Sequence, residues 1–188
     1  SEGVRYEEPK LKVMGIEAVK SSTPAPCRKM LKDAFKILMT GTEDDMIKFI
    51  DSSRDQFKKL PPEEVSFPRS VSDVVKYKSH SSIYNKGTPI HARGALLYNH
   101  YIVKNKLDAK YSLIQNGEKI KFCYLKKPNH IHENVISFIQ DFPKELNLDK
   151  YIDYDLQFEK SFLEPLKTIL DSIGWNVEKT VNLELFFG

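Results

Sequence analysis

Lys10–Pro24 reads KLKVMGIEAVKSSTP, and two different signals meet inside it. Leu11, Val13 and Ile16, with Met14 and Gly15 between them, have the apolar spacing of a short strand that ends in a close backbone approach. After Glu17–Lys20, Ser21-Ser22-Thr23 followed by Pro24 is a helix start, with proline at the first helical position. A strand opening this way has no pairing partner nearby in sequence. The reading therefore makes Lys10–Ile16 the edge of a sheet completed elsewhere, followed by a capped, basic helix.

The helix running from Pro24 to Thr40 is two-faced. At about 100° per residue, Cys27, Met30, Leu31, Ala34 and Leu38 share one arc, and Arg28, Lys29, Lys32 and Lys36 share the opposite one. Gly41 stops it. Thr42 opens a second helix whose first turn carries Glu43, Asp44 and Asp45, the charges that a helix N-terminus favours. Met46, Ile47, Ile50, Phe57 and Leu60 form its predicted buried face, and Pro61-Pro62 ends it. So short a link predicts an antiparallel helical hairpin.

Further along, Val65–Phe67 reads as a short strand and Ser70–Tyr77 as one or two helical turns. Thr88-Pro89 repeats the cap-plus-proline signal ahead of a third helix reaching about Lys104. Asn116-Gly117 is a hairpin turn signal between Tyr111–Ile114 and Lys119–Leu125. His130–Gln140 is ambiguous, with Val135-Ile136 and Phe138-Ile139 as strand candidates. A last long helix is predicted over Asp155–Ile173, kinked at Pro165. The predicted fold class is α+β: mainly helical, with a small antiparallel sheet and a short N-terminal strand.

Composition narrows the function classes. Hydrophobic residues make up 40% and charged residues 29% of the 188 residues, as in a folded domain rather than a disordered one. No apolar run has transmembrane length, so no membrane partner is predicted. Cys27 and Cys123 have neither metal nor redox spacing. A net charge of +3 makes clustering the criterion for nucleic-acid binding. The arc of Arg28, Lys29, Lys32 and Lys36 is such a cluster. It reads either as a solvated helix face or as a lining for phosphates, held without regard to sequence through counterion release.

Three constellations have to be weighed for chemistry. Asp153 and Asp155 could suggest paired metal-binding carboxylates. Leu156, Phe158, Phe162, Leu163 and Leu166 follow at helical spacing, so these acids read as a helix cap instead. His130 and His132 lack a third ligand and read as a surface loop. No nucleophile–base set and no phosphate-cradling glycine loop is present. No catalytic or metal-binding residue is therefore assigned. Leu183, Leu185, Phe186 and Phe187 place four large apolar residues near the end of the chain, which suits either a core segment or a short anchor for a partner's pocket.

Ordered blocks along the chain resemble the family B replicative DNA polymerases of T-even-type bacteriophages. RYEEPKLKVMGIEAVKSSTP resembles the end of the palm and the start of the thumb. VKYK and TPIHARGALLYNH, with its HxRGxLxYN pattern, resemble the thumb. NGEKIKF, YIDYDLQFEKSFLEPL and LFFG follow in family order. The resemblance implies palm over residues 1–20, thumb over 21–176 and a clamp-binding tail over 177–188. It implies that Lys20 nears the minor groove of the primer–template duplex, and that Arg93, Lys119 and Lys160 touch its phosphates. With Arg28, Lys32 and Lys36 they form the expected DNA-binding set. Glu164 departs, since the family often has lysine there. Leu183, Leu185, Phe186 and Phe187 would plug into a sliding clamp.

By the same resemblance, the metal-binding aspartates, nucleotide-binding helix and exonuclease lie upstream. The expected partners are the upstream polymerase portion, duplex DNA and the clamp, in the cytoplasm of the infected bacterial host. Mg²⁺ is expected for the complete polymerase and no cofactor for this chain. The chain should then be a carboxy-terminal portion, inactive in synthesis by itself. The competing readings are a stand-alone nucleic-acid-binding accessory protein and a small metal-dependent enzyme.

Overall fold

In the computed structural model, residue 15 and residues 19–175 are described. The chain forms two compact units: Ser1–Leu60 with Phe158–Gly188, and Pro61–Gln157. The α+β reading holds, with helices predominating over one three-stranded antiparallel sheet.

The first unit is helical. Helix α1 (Ala25–Thr40) starts one residue later than its sequence signal, so Pro24 occupies the N-cap and Pro26 the first turn. Cys27, Leu31, Ala34 and Leu38 are buried, as their common arc requires, while Lys29, Lys32 and Lys36 are exposed. Helix α2 (Glu43–Phe57) begins in a reciprocal cap. The Asp45 N–H donates to Thr42 Oγ1 at 3.2 Å, and the Thr42 N–H donates to Asp45 Oδ2 at 2.9 Å. Two of the orphan N–H groups at the helix start are thus satisfied. Met46, Ile50 and Phe57 are buried as read, but Ile47 and Leu60 are only half-buried; Ser53 takes a buried position.

The last helical run has a different break from the one its proline suggests. Tyr154–Phe158 is α-helical, Glu159–Leu163 forms a π-turn, and Glu164–Ser172 resumes the α-helix. Pro165 has no N–H for the carbonyl four residues back, and its ring crowds that carbonyl. Widening the preceding turn relieves this: the Glu164 N–H reaches back five residues to the Glu159 carbonyl. The π-turn also turns Ser161 and Phe162 inward, where both are buried. Cys27 Sγ donates to Ser161 Oγ at 3.2 Å. Phe57, Phe158 and Phe162 pack in series with their rings tilted to one another, centroids 5.3 and 5.1 Å apart.

The second unit is built on the sheet order β1–β2–β3, comprising Phe67–Ser70, Lys119–Tyr124 and Val135–Phe138, all antiparallel. Helix α4 (Ile90–Lys104) packs on it, and a one-turn helix α3 (Pro62–Val65) precedes β1. The strand read at Val65–Phe67 is therefore shifted toward the C-terminus, because Pro62 starts a turn in which Val65 is buried. Of the one or two helical turns read over Ser70–Tyr77, a single 3-10 turn forms, Val75–Tyr77.

The largest correction concerns Asn116-Gly117. Lys119–Tyr124 does not pair with Tyr111–Ile114. It lies between β1 and β3 instead. The Ile114 N–H donates to Asn99 Oδ1 at 2.7 Å, Asn99 Nδ2 donates to the Ile114 carbonyl at 2.9 Å, and Tyr98 Oη donates to the Ser112 carbonyl at 2.9 Å. Side chains of α4 thereby occupy backbone groups that a hairpin would have used. The Asn-Gly turn closes against the segment after β1: the Gly117 N–H donates to the Val71 carbonyl at 2.6 Å, and Asn116 Oδ1 accepts from the Val74 N–H at 2.5 Å.

Gly94 explains how α4 comes so close to β3. A β-carbon there would lie 2.3 Å from Ser137 Oγ and 2.9 Å from the Ser137 backbone nitrogen. Ser137 Oγ in turn donates to the His91 carbonyl at 2.9 Å. All four residues of β3 are buried. The strand read over Lys10–Ile16 lies outside the described residues except at Gly15. There the carbonyl accepts from the Val19 N–H at 3.3 Å, a helical bond, so the strand does not extend through Gly15.

Candidate nucleic-acid interface

In the helical unit, α1 carries the basic arc. Cys27, Leu31, Ala34 and Leu38 face the core, which leaves the opposite arc to water. Lys29, Lys32 and Lys36 are exposed and Arg28 is half-buried. Among the described residues, the ion pair on this arc is Lys36 to Asp33, at 3.9 Å with the lysine side chain 80% exposed. Such a pair contributes little and yields readily to a phosphate. Lys20 is exposed just ahead of the helix, and its carbonyl accepts from the Thr23 N–H at 3.0 Å. Lys160, in the π-turn, is half-buried.

Arg93 and Lys119 belong to the other unit and do not lie together. Lys119 is exposed at the start of β2, opposite Ser70. Arg93 bonds Glu133 and Asn134, which lead directly into β3, and β3 begins opposite Tyr124 at the far end of β2. Five residue steps of strand separate those two ends, about 17 Å.

Arg93 is built into a network. Its NH1 donates to Glu133 Oε2 at 3.0 Å and to Asn134 Oδ1 at 2.7 Å, and its guanidinium lies 5.7 Å from the Tyr84 ring centroid. Tyr84 Oη donates to Glu133 Oε1 at 2.6 Å. Glu133 thus receives one donor on each oxygen. Burial, and then the neighbouring Glu133 carboxylate, push the Tyr84 hydroxyl above its ordinary pKa. Sequence reading selected Arg93 but missed Tyr84, Glu133 and Asn134, which lie 9, 40 and 41 positions away from it along the chain. No local spacing could have joined them. The rest of the HxRGxLxYN pattern has internal work as well: Gly94 admits the strand, and Tyr98 and Asn99 bind the Ser112–Ile114 backbone.

The remaining candidates fall into place individually. Asp153 Oδ1 accepts from the Leu156 N–H at 3.0 Å, a helix cap. His130 Nε2 sits 2.9 Å from the Leu146 carbonyl, and both His130 and His132 are exposed. Among the described residues no group of three His, Cys, Asp or Glu side chains could hold a metal ion. Burial pushes the Cys27 thiol up to about 11 and the Cys123 thiol to about 12, so neither is a nucleophile at neutral pH. Leu183, Leu185, Phe186 and Phe187 lie outside the described residues. No described helix is long and apolar enough to cross a membrane.

No protein-family model matches the chain. Curated proteins do. A protein named DNA-directed DNA polymerase from Enterobacteria phage T4 is 26% identical over 191 residues, covering 100% of the chain. Another of that name from Escherichia phage RB69 is 30% identical over 187 residues, covering 97% of it. The relatives of this chain are phage DNA polymerases. The T-even-type resemblance read from the sequence blocks is thereby borne out along the whole chain. The chain spans about a fifth of each relative, 21% and 20%. It thus corresponds to a portion of such a polymerase.

Proposed function

We propose that this chain is the thumb portion of a phage family B DNA polymerase, gripping primer–template duplex behind an active site supplied by other parts of the enzyme. One observation carries the reading: full-length similarity to two phage DNA polymerases, of which the chain represents about one fifth. The exposed basic arc on α1 supports it, since cations standing in water can take phosphates as partners regardless of sequence. On this reading residues 1–20 are palm, 21–176 thumb and 177–188 a tail. Lys20, Arg28, Lys32, Lys36, Arg93, Lys119 and Lys160 contribute positive charge toward the duplex. Leu183, Leu185, Phe186 and Phe187 anchor the enzyme to a sliding clamp. Mg²⁺ and the nucleotide-transfer chemistry belong to the complete polymerase, which works in the cytoplasm of the infected bacterium.

The test is duplex binding by the 188-residue chain across a salt series. Binding should be weak, indifferent to sequence and steeply salt-dependent. Substituting Lys20, Arg93 and Lys160 together by alanine should lower affinity for every sequence. Unchanged binding by that variant at low salt would show that the assigned residues are wrong. For the tail, deleting Leu183–Gly188 from the reconstituted polymerase should abolish clamp-dependent processivity while sparing duplex affinity. Unfolding on deletion would instead make the tail part of a core.

A further inference from the structure

We infer that Glu133, with Tyr84 braced against it, is a positioning residue that holds the Arg93 guanidinium in place for a phosphate of bound duplex. This rests on the duplex-binding reading above and names how one of its contacts is made.

The geometry carries the argument. Both Glu133 oxygens are occupied, Oε2 by Arg93 at 3.0 Å and Oε1 by Tyr84 at 2.6 Å, so the carboxylate is fixed from two sides. Asn129 fixes the backbone of the same residue: its Oδ1 accepts from the Glu133 N–H at 3.4 Å, and its Nδ2 donates to the Glu133 carbonyl at 2.6 Å. Asn129 itself is only 5% exposed. The anchor is therefore stiffer than an ordinary surface ion pair. The Arg93 side chain is 21% exposed and that of Glu133 17%, so the cluster is screened from water without being sealed off. Only NH1 of the guanidinium is spent on Glu133 and Asn134. Its other N–H groups are not among the buried polar atoms left without partners. A guanidinium carries five donors in a rigid fork, so fixing one nitrogen orients the rest.

Two roles for Glu133 predict opposite signs. A competitor would neutralise Arg93, and removing it would strengthen duplex binding. A positioning residue reduces the ordering cost of the phosphate contact, and removing it weakens binding even though the chain gains net positive charge. The second is the one inferred, because Tyr84 holds the second carboxylate oxygen and Asn129 holds the backbone that carries it, so the group is placed rather than free to compete.

The experiment measures duplex affinity over a salt series for the 188-residue chain and for Glu133→Ala, Glu133→Asp, Tyr84→Phe, Arg93→Ala and the Glu133→Ala/Arg93→Ala pair. Glu133→Ala should lower affinity by roughly three- to tenfold, the scale of one net hydrogen bond. It should also reduce the salt slope by about one, as Arg93→Ala should. Added to Arg93→Ala it should change nothing further. Glu133→Asp should restore part of the loss. Tyr84→Phe should lower affinity less, in the same direction, and it decides the matter should Glu133→Ala fail to fold. Equal or tighter binding by Glu133→Ala overturns the inference. Parent protein that binds no duplex at low salt overturns the duplex reading itself, a result distinct from the first.

Discussion

In the helical unit Lys29, Lys32 and Lys36 of α1 stand in water, whereas in the sheet-containing unit Arg93, Lys110 and Lys121 are tied to protein acceptors. Lys29 and Lys32 are exposed, and Lys36 reaches only a loose 3.9 Å pair. Across the other unit, Arg93 bonds Glu133 and Asn134, Lys110 Nζ donates to Glu145 at 2.8 Å, and Lys121 Nζ donates to the Glu63 carbonyl at 2.9 Å. A bound phosphate would exchange water for protein at the first set. At the second it must work around bonds that already define the fold. A bare count of lysines and arginines therefore overstates what Arg93, Lys110 and Lys121 can offer a phosphate.

The units also differ in how their cores are closed. Phenylalanines packed in series fill the first, and a helix laid onto β3 through Gly94 closes the second. The largest expected effect separates them. Phe57→Ala removes a fully buried ring and should cost about 3–5 kcal/mol. Labelling of Cys27 by a thiol reagent at pH 8, which requires opening because burial holds that thiol near 11, should accelerate about a hundredfold or more. Cys123, whose thiol is held near 12, should respond far less. Equal acceleration at both cysteines would mean that the units open together.

Gly94→Ala comes next. The added carbon would press on the Ser137 backbone, and overpacking of this kind costs about 1–3 kcal/mol. Hydrogen exchange should show the loss over β3 and α4, and a neutral result would place more slack at that crossing than the distances allow. Thr42→Ala should cost about 1 kcal/mol through loss of the reciprocal cap, seen as faster exchange at the start of α2.

A smaller effect depends on pH. The hydrogen bond from Lys110 holds Glu145 down to about 2, from an ordinary value of 4.5. A depressed carboxylate stabilises the fold above its unfolded pKa and ceases to do so as pH falls through the folded one. The difference in melting temperature between the parent and Glu145→Gln should therefore be constant above pH 4.5 and vanish toward pH 2. A difference that persists at pH 2 would assign the effect to packing. Smallest of all, Lys29→Ala and Lys32→Ala should move stability by no more than about 0.5 kcal/mol. A larger loss would show that the α1 arc is tied down after all, and the contrast between the units would fail.

Much of this protein is determined locally. Helices α1, α2 and α4 could be placed from periodicity, caps and prolines, because each is set by contacts within a few residues and by which side must leave water. The Thr42 cap and the capping role of Asp153 are of that kind. Tertiary structure decided the pairing of Lys119–Tyr124, since Asn99 and Tyr98 claim the backbone that a local hairpin would have used. It decided the π-turn, because a proline announces a lost hydrogen bond but not where the helix absorbs it. It also decided what Arg93 does. A charge is visible in sequence, but its partners Tyr84, Glu133 and Asn134 come from other segments, and only the fold brings them within hydrogen-bonding reach.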